Sequence, residues 1–164
     1  MPEHGEGTAT HPHHECLPTD ICTDVARARV SVPGDVNKRL RVFTEVKGVD
    51  FCEVKVLSPQ AQAEKHGWEV TAMFPMVVRL DTKRGDRVLH TLAFFKTFIP
   101  YPCDEEQGGS DLRKLKTRVQ IRDIVCSVDI GHEEHCVVIQ AAFTVIVYAL
   151  QDEVITVCRL PGPN

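Results

Sequence analysis

VVIQAAFTVIVYAL, residues 137–150, is apolar on both of its alternating phases. Val137, Ile139, Ala141, Phe143, Val145 and Val147 share one phase, and Val138, Ala142, Ile146 and Tyr148 share the other. β-Branched side chains lose rotamer freedom in a helix and pack well on a pleated surface, and the run has no charge pairs at helical spacing. It reads as a strand covered on both faces, or as one whose second face awaits a partner. Gln140 and Thr144 interrupt it, and it falls short of the roughly 20 apolar residues of a membrane-spanning helix.

Upstream, IRDIVCSVD (121–129) alternates with one fault: Val119 and Ile121 lie on one phase, Ile124, Cys126 and Val128 on the other. A slip of one residue predicts a β-bulge near Arg122 and Asp123. DRVLHTLAFFKTFI (86–99) is a long strand ended by Pro100, Pro102 and the acidic, Gly-rich DEEQGGS, and DTKRGD is the turn before it. Residues 68–81 form another strand, in which Pro75 removes a ladder donor and predicts an edge position or a bulge. Before that, SPQAQAEKHG reads as a polar loop. Three more alternating runs precede it: ARARVSV (26–32), then Leu40, Val42, Thr44 and Val46, then Cys52, Val54 and Val56. With a last strand over 153–159, about eight strands and no clear helix predict an all-β sandwich or Greek-key, jelly-roll-like fold.

Residues 1–24 lack apolar periodicity and read as a flexible arm, 25–160 as the β domain and 161–164 as a tail. The chain has 164 residues, enough for one core. Its net charge of −4 offers no general attraction to nucleic acid or anionic lipid. MPEHGEGTATHPHHEC places acids and histidines where a secretory signal would need a basic and then an apolar region, so synthesis without a signal peptide is expected.

No GxSxG, HExxH or phosphate-binding glycine loop occurs, so no catalytic residue is nominated and an enzyme is the least favoured class. GHEEHC (131–136) sets His132 and His135 three apart, a spacing that could share a metal on a helix, but here it falls in a strand connection where such residues are solvated. The arm's HPHHEC brings His11, His13, His14 and Cys16 within six residues, with His4 nearby. Imidazole and thiolate suit a transition metal, the one cofactor alternative; otherwise none is expected. Seven cysteines occur without a CxxC. Cys52 and Cys126 lie on apolar phases and read as buried structural thiols. Cys16, Cys22, Cys103, Cys136 and Cys158 lie in the arm, beside prolines, at a turn and near the C-terminus, where sulfur can reach another chain, so they are candidates for disulfides between subunits.

VLHTLAFFKTFI (88–99), followed by IRDIVCSVD and VVIQAAFTVIVYAL, resembles the SPOCS domain of sporulation proteins in endospore-forming Firmicutes. The first run carries the likeness through His90, Phe94, Phe95, Phe98 and Ile99, and FTEVKGVDFCEVKVLSPQ resembles the segment before the family's central strand. The similarity covers about residues 25–157; Lys96 stands where the family is often apolar or Cys, and the family's coat-morphogenesis members carry further domains. In plan, though not in sequence, the Cys-bearing arm is similar to endospore appendage subunits.

The resemblance implies a non-enzymatic structural role in the spore coat, exosporium or a surface appendage, with synthesis in the mother cell. Copies of the chain, and beside them other spore-coat proteins, are the expected partners; nucleic acid and a membrane span are not. The expected mechanism has residues 14–25 pairing as a strand with the next subunit, head to tail, and Cys16 and Cys22 then locking the polymer to Cys103, Cys136 or Cys158. A discrete coat-assembly adaptor and a metal-binding protein using the arm are the alternatives.

Overall fold

The computed structural model describes residues 16–102, 111–131 and 135–159. Expectations placed on His4, His11, His13, His14, Cys103, His132 and residues 161–164 lie outside them. The described chain is almost wholly strand: β1 (Leu17–Arg41), β2 (Val46–Val54), β3 (Leu57–Ala63), β4 (Gly67–Thr82), β5 (Gly85–Pro100), β6 (Lys116–Ile130) and β7 (Cys136–Arg159), with a 3-10 turn at Leu112–Lys114. Two antiparallel sheets form an all-β sandwich, one ordered β1-β7-β6 and the other built on β4.

The chain divides into two compact units. The smaller comprises Met1–Val25 and Asp152–Asn164; its described part is a two-stranded ribbon from the start of β1 and the end of β7. Thr156 donates its hydroxyl to Asp20 at 2.6 Å, and a disulfide joins Cys16 to Cys158. From Leu17 the arm is extended, as a strand paired within its own chain.

The larger unit, Ala26–Gln151, holds the sandwich. β4 is the spine of its second sheet: β2 and β3 pair in succession along one flank, and β5 runs along the other. The even-numbered side chains of β4, from Trp68 through Val70, Ala72, Phe74, Met76 and Val78 to Leu80, point inward and are buried. From β7, the odd phase of Val137, Ile139, Ala141, Phe143, Val145, Val147 and Ala149 meets them. Each large side chain buried this way contributes roughly 1.5–3 kcal/mol, which is why the two strongest alternating runs become the two central strands. Phe74 and Phe143 stack across the sheets at 4.5 Å, and Phe95 meets both rings edge-on. Gly34 is required beside them, because a Cβ there would come within 2.5 Å of the Phe143 ring.

The bulge expected at Arg122 and Asp123 is present. The β6–β7 register shifts between Arg122 and Val125, Asp123 takes φ +56°, and the core-facing phase changes there from Val119 and Ile121 to Ile124, Cys126 and Val128. Three expectations need correction. SPQAQA is not a loop: Leu57–Ala63 is β3, its Ala61 and Ala63 packed on the core although Ala and Gln are weak strand formers. Residues 42–45 are not a strand but a corner between β1 and β2, and 153–159 is the end of β7 rather than a strand of its own, so with β3 added the strands number seven among the described residues.

Pro75 is the third. It lies in the centre of the sheet, and the irregularity falls on its partner instead. Lys55 N–H donates to the Pro75 carbonyl at 3.0 Å, in the gap between the end of β2 and the start of β3. Along a strand, one residue's N and O face the same neighbour, so the donor that proline lacks faces the same break and no regular ladder bond is lost.

Candidate functional site

β5 combines three properties. It pairs with β4 through sixteen successive residues, from Gly67 opposite Pro100 to Thr82 opposite Gly85, without a register shift. Its other edge makes no backbone hydrogen bond among the described residues. Its outward phase carries Val88, His90, Leu92, Phe94, Lys96 and Phe98, of which Phe94 is 72% and Phe98 52% exposed. Since Pro75 faces β2 and β3, its partner Leu92 directs its own N–H and C=O to the free edge, as do the residues at steps of two from it. Among the described residues the outward backbone groups of the even-numbered residues thus have no hydrogen-bond partner, and Asp35–Lys38 of β1 border Ala93–Lys96 across an open cleft.

Next to this row on β4 stand Met73, Pro75 and Val77, opposite Phe94, Leu92 and His90, and Phe51 of β2 lies beyond, opposite Arg79. One ion pair crosses the face, from Lys96 to Glu69 at 3.3 Å. Both partners are largely exposed, so it adds little stability. Lys96 therefore has an acidic partner here.

The outer face of the other sheet is covered in part by its own chain. Ile146 and Leu150 of β7 are buried on the outward phase, with Gln120 and Lys116 of β6 opposite them. Arg118 stands opposite Tyr148, and the Arg29 guanidinium lies 5.9 Å from the Tyr148 ring centroid. The second apolar phase of residues 137–150 thus finds cover within the sheet at Ile146 and Leu150, whereas Ala142 and Val125 opposite it are exposed.

The cysteines pair differently from the expectation. Cys16 bonds Cys158 within the chain. Cys52 and Cys126 are inward-facing, but they are a disulfide rather than buried thiols. Their Cα atoms are 6.0 Å apart, and the bond ties β2 to β6 on the flank where β2 and β3 approach β6. Spacing in sequence carries no information on such a pairing, since 74 residues separate the two. Among the described residues Cys22 is a free, exposed thiol and Cys136 a free, half-buried one. No group of three or more His, Cys, Asp or Glu residues is placed to hold a metal among the described residues, and of the arm's expected ligands only Cys16 is described, in its disulfide. No described helix is long and apolar enough to cross a membrane.

The two ends of the larger unit differ chemically. At one, Tyr101 follows β5 and is fixed by its N–H to His66 O at 3.1 Å, by its hydroxyl donating to Glu64 O, and by edge-on contact with Trp68 at 4.6 Å. Burial first, and the Asp111 and Glu64 carboxylates with it, push the Tyr101 phenol above its ordinary value; Arg113 opposes them. The phenol is thereby kept in the protonated form that donates the bond. At the other end, Val42 N–H donates to His135 O at 2.6 Å and Lys83 N–H to Glu45 O at 2.9 Å, drawing three connections together. Arg39, Arg41, Arg84 and Arg87 gather there around Phe43, which is 87% exposed. In the sequence, Arg39 and Arg41 read as a solvated strand phase and DTKRGD as a plain turn. Only the fold brings the two basic runs, KRLRVF and KRGDR, together.

No family model matches this chain, and comparison with curated proteins and with solved structures finds no match.

Proposed function

We propose that this chain is a non-catalytic structural subunit that assembles with copies of itself, in a layer or appendage of the spore surface as its resemblance to the SPOCS family implies. The observation that carries the assembly is β5, a long strand with no bulge and no interior proline, whose free backbone groups and exposed Leu92, Phe94 and Phe98 lie along one edge. Exposed, flat, apolar edges are templates for pairing, and proteins that remain single blunt them with charges, bulges or prolines. The occupant we assign is the β5 of a second copy, running antiparallel across a two-fold axis. A two-fold centred on Ala93 sets Leu92 against Phe94 and Val88 against Phe98, so apolar side chains meet on the outer face. Two sandwiches joined in this way share one continuous sheet.

This mechanism replaces exchange of the arm, because Leu17–Val25 already has a strand partner in its own chain. Sedimentation of the full-length protein is the test. The wild type is expected to form dimers or larger species, and Phe94→Ser with Phe98→Ser to lose the two-fold dimer with an unchanged circular dichroism spectrum. A wild type that stays monomeric at high concentration would refute self-assembly and favour a coat-assembly adaptor.

A further inference from the structure

Two grooves at the basic end share Arg41, Val42 and Phe43. One, of about 330 Å³, is completed by Thr44, Arg84, Arg87 and Leu89, and the other, of about 690 Å³, by Arg39, His135 and Cys136. Among the described residues no acidic side chain lines either groove, and none of the four arginines has an ion pair. The nearby carboxylate of Glu45 is taken by Lys83 at 3.6 Å. In a chain of net charge −4, guanidinium groups that have no acidic partner among the described residues and gather beside an apolar floor form a site for an anion. Planar guanidinium groups match carboxylates in a bidentate geometry, and the exposed Phe43 ring offers apolar contact beside them.

The same chain carries a complementary segment: DEEQ, with Asp104, Glu105 and Glu106 in succession. It leaves the described structure at Pro102 and returns at Asp111, next to the Tyr101 end of β5, whereas Arg84 and Arg87 flank the start of that strand. A strand of sixteen residues spans roughly 50 Å. The chain between Pro102 and Asp111 can reach out and back by only about 15–20 Å, at ~3.5 Å per residue. The acidic segment cannot fill the arginine cleft of its own molecule, but nothing in this geometry keeps it from that of another.

We propose that the cleft of Arg41, Arg84 and Arg87 is an acidic-peptide site that receives Asp104, Glu105 and Glu106 of a second copy. This contact deepens the assembly reading above and rests on it for its biological setting. Pairing of β5 across a two-fold closes on itself as a dimer, and a contact between opposite ends of the molecule is heterologous, so the two together generate an open fibre or layer.

The test separates the two contacts. A fluorescent peptide of residues 101–112, with Cys103→Ser, is titrated into the full-length protein carrying Phe94→Ser with Phe98→Ser, the variant that removes the β5 contact. The peptide is expected to bind, to bind roughly tenfold or more weakly to Arg41→Gln or Arg87→Gln, and to lose affinity as salt rises. The same peptide carrying Asp104→Asn, Glu105→Gln and Glu106→Gln is expected not to bind. Equal binding of the acidic and neutral peptides, or undiminished binding to both arginine variants, would overturn the proposal. Displacement by inorganic phosphate at equal concentration would also overturn it, by marking a small-anion site instead. In the full chain, Arg84→Glu with Arg87→Glu should block growth beyond the dimer, as should Asp104→Lys with Glu105→Lys and Glu106→Lys, and mixing the two variants should restore contacts between them. A monomeric wild type that still binds the peptide would refute the β5 dimer and leave this site standing. Dimers without peptide binding would do the reverse.

Discussion

The two flanks of β4 are built from the same kind of strand and end up opposite in character. On one, β2 and β3 divide the pairing between them, with register shifts in each and a break at Lys55 opposite Pro75, and the Cys52–Cys126 bond ties that flank to the other sheet. On the other, β5 runs sixteen residues without a shift and ends the sheet with its backbone groups unpaired. Irregularity closes one side of the sandwich, and regularity leaves the other available. The lesson is that in this fold the best-formed strand, not the most distorted one, is the candidate for contact with another molecule.

Removing the clamp from the closed flank should have the largest effect. Cys52→Ser with Cys126→Ser should lower unfolding stability by about 4 kcal/mol in non-reducing buffer, from the loop-entropy cost of a closure of this length. Denaturant titration measures it, and a double variant as stable as the oxidised wild type would show that packing alone holds this side. Next, Ala93→Pro on the open flank should cost about 2–3 kcal/mol, because Ala93 directs its N–H toward Phe74 of β4 and a buried carbonyl would lose its donor. Leu92→Pro, one residue away, removes a donor that faces outward. It should cost under ~1 kcal/mol yet abolish the dimer, and sedimentation beside thermal melting separates the two effects. If Leu92→Pro dimerises normally, side chains rather than strand addition make the contact.

The smallest expected effect sharpens the comparison at the far end of β5. A phenol whose folded pKa is raised contributes stability that is complete below its ordinary value of 10.0 and is lost as pH rises from there through the raised value. Wild-type stability should therefore fall in that alkaline window by more than the Tyr101→Phe variant's does. Parallel pH profiles for the two proteins would remove Tyr101 from the account.

Much of this architecture was legible in alternation. Residues 137–150 and 68–81 read as strands and became the two spines, and the phase slip beside Arg122 located a bulge to the residue. β3 was not legible, since Pro59, Gln60 and Gln62 carry turn and loop chemistry and only the neighbouring β4 makes that segment a strand. Pro75 misleads because a proline's cost depends on which neighbour its missing N–H would have faced, and periodicity does not record that. The candidate surface was half visible: Val88, Leu92, Phe94 and Phe98 form an apolar second phase on β5, just as residues 137–150 have one. Which of the two would be covered depends on Arg29, Arg118 and Gln120, residues distant in sequence. The cysteine pairs and the arginine cleft needed three-dimensional proximity that no spacing in the chain supplies.

The Cys16–Cys158 bond makes most of the polypeptide a closed ring. Tension applied at the two termini passes from one sulfur to the other and does not enter the residues between them. A subunit pulled from outside this bond should therefore not lengthen between Cys16 and Cys158 until the disulfide is reduced. Reduction would release a contour of roughly 500 Å, from a separation of 142 residues at ~3.5 Å each. A chain so closed is mechanically a bead: it can carry load along a thread while its sandwich remains folded.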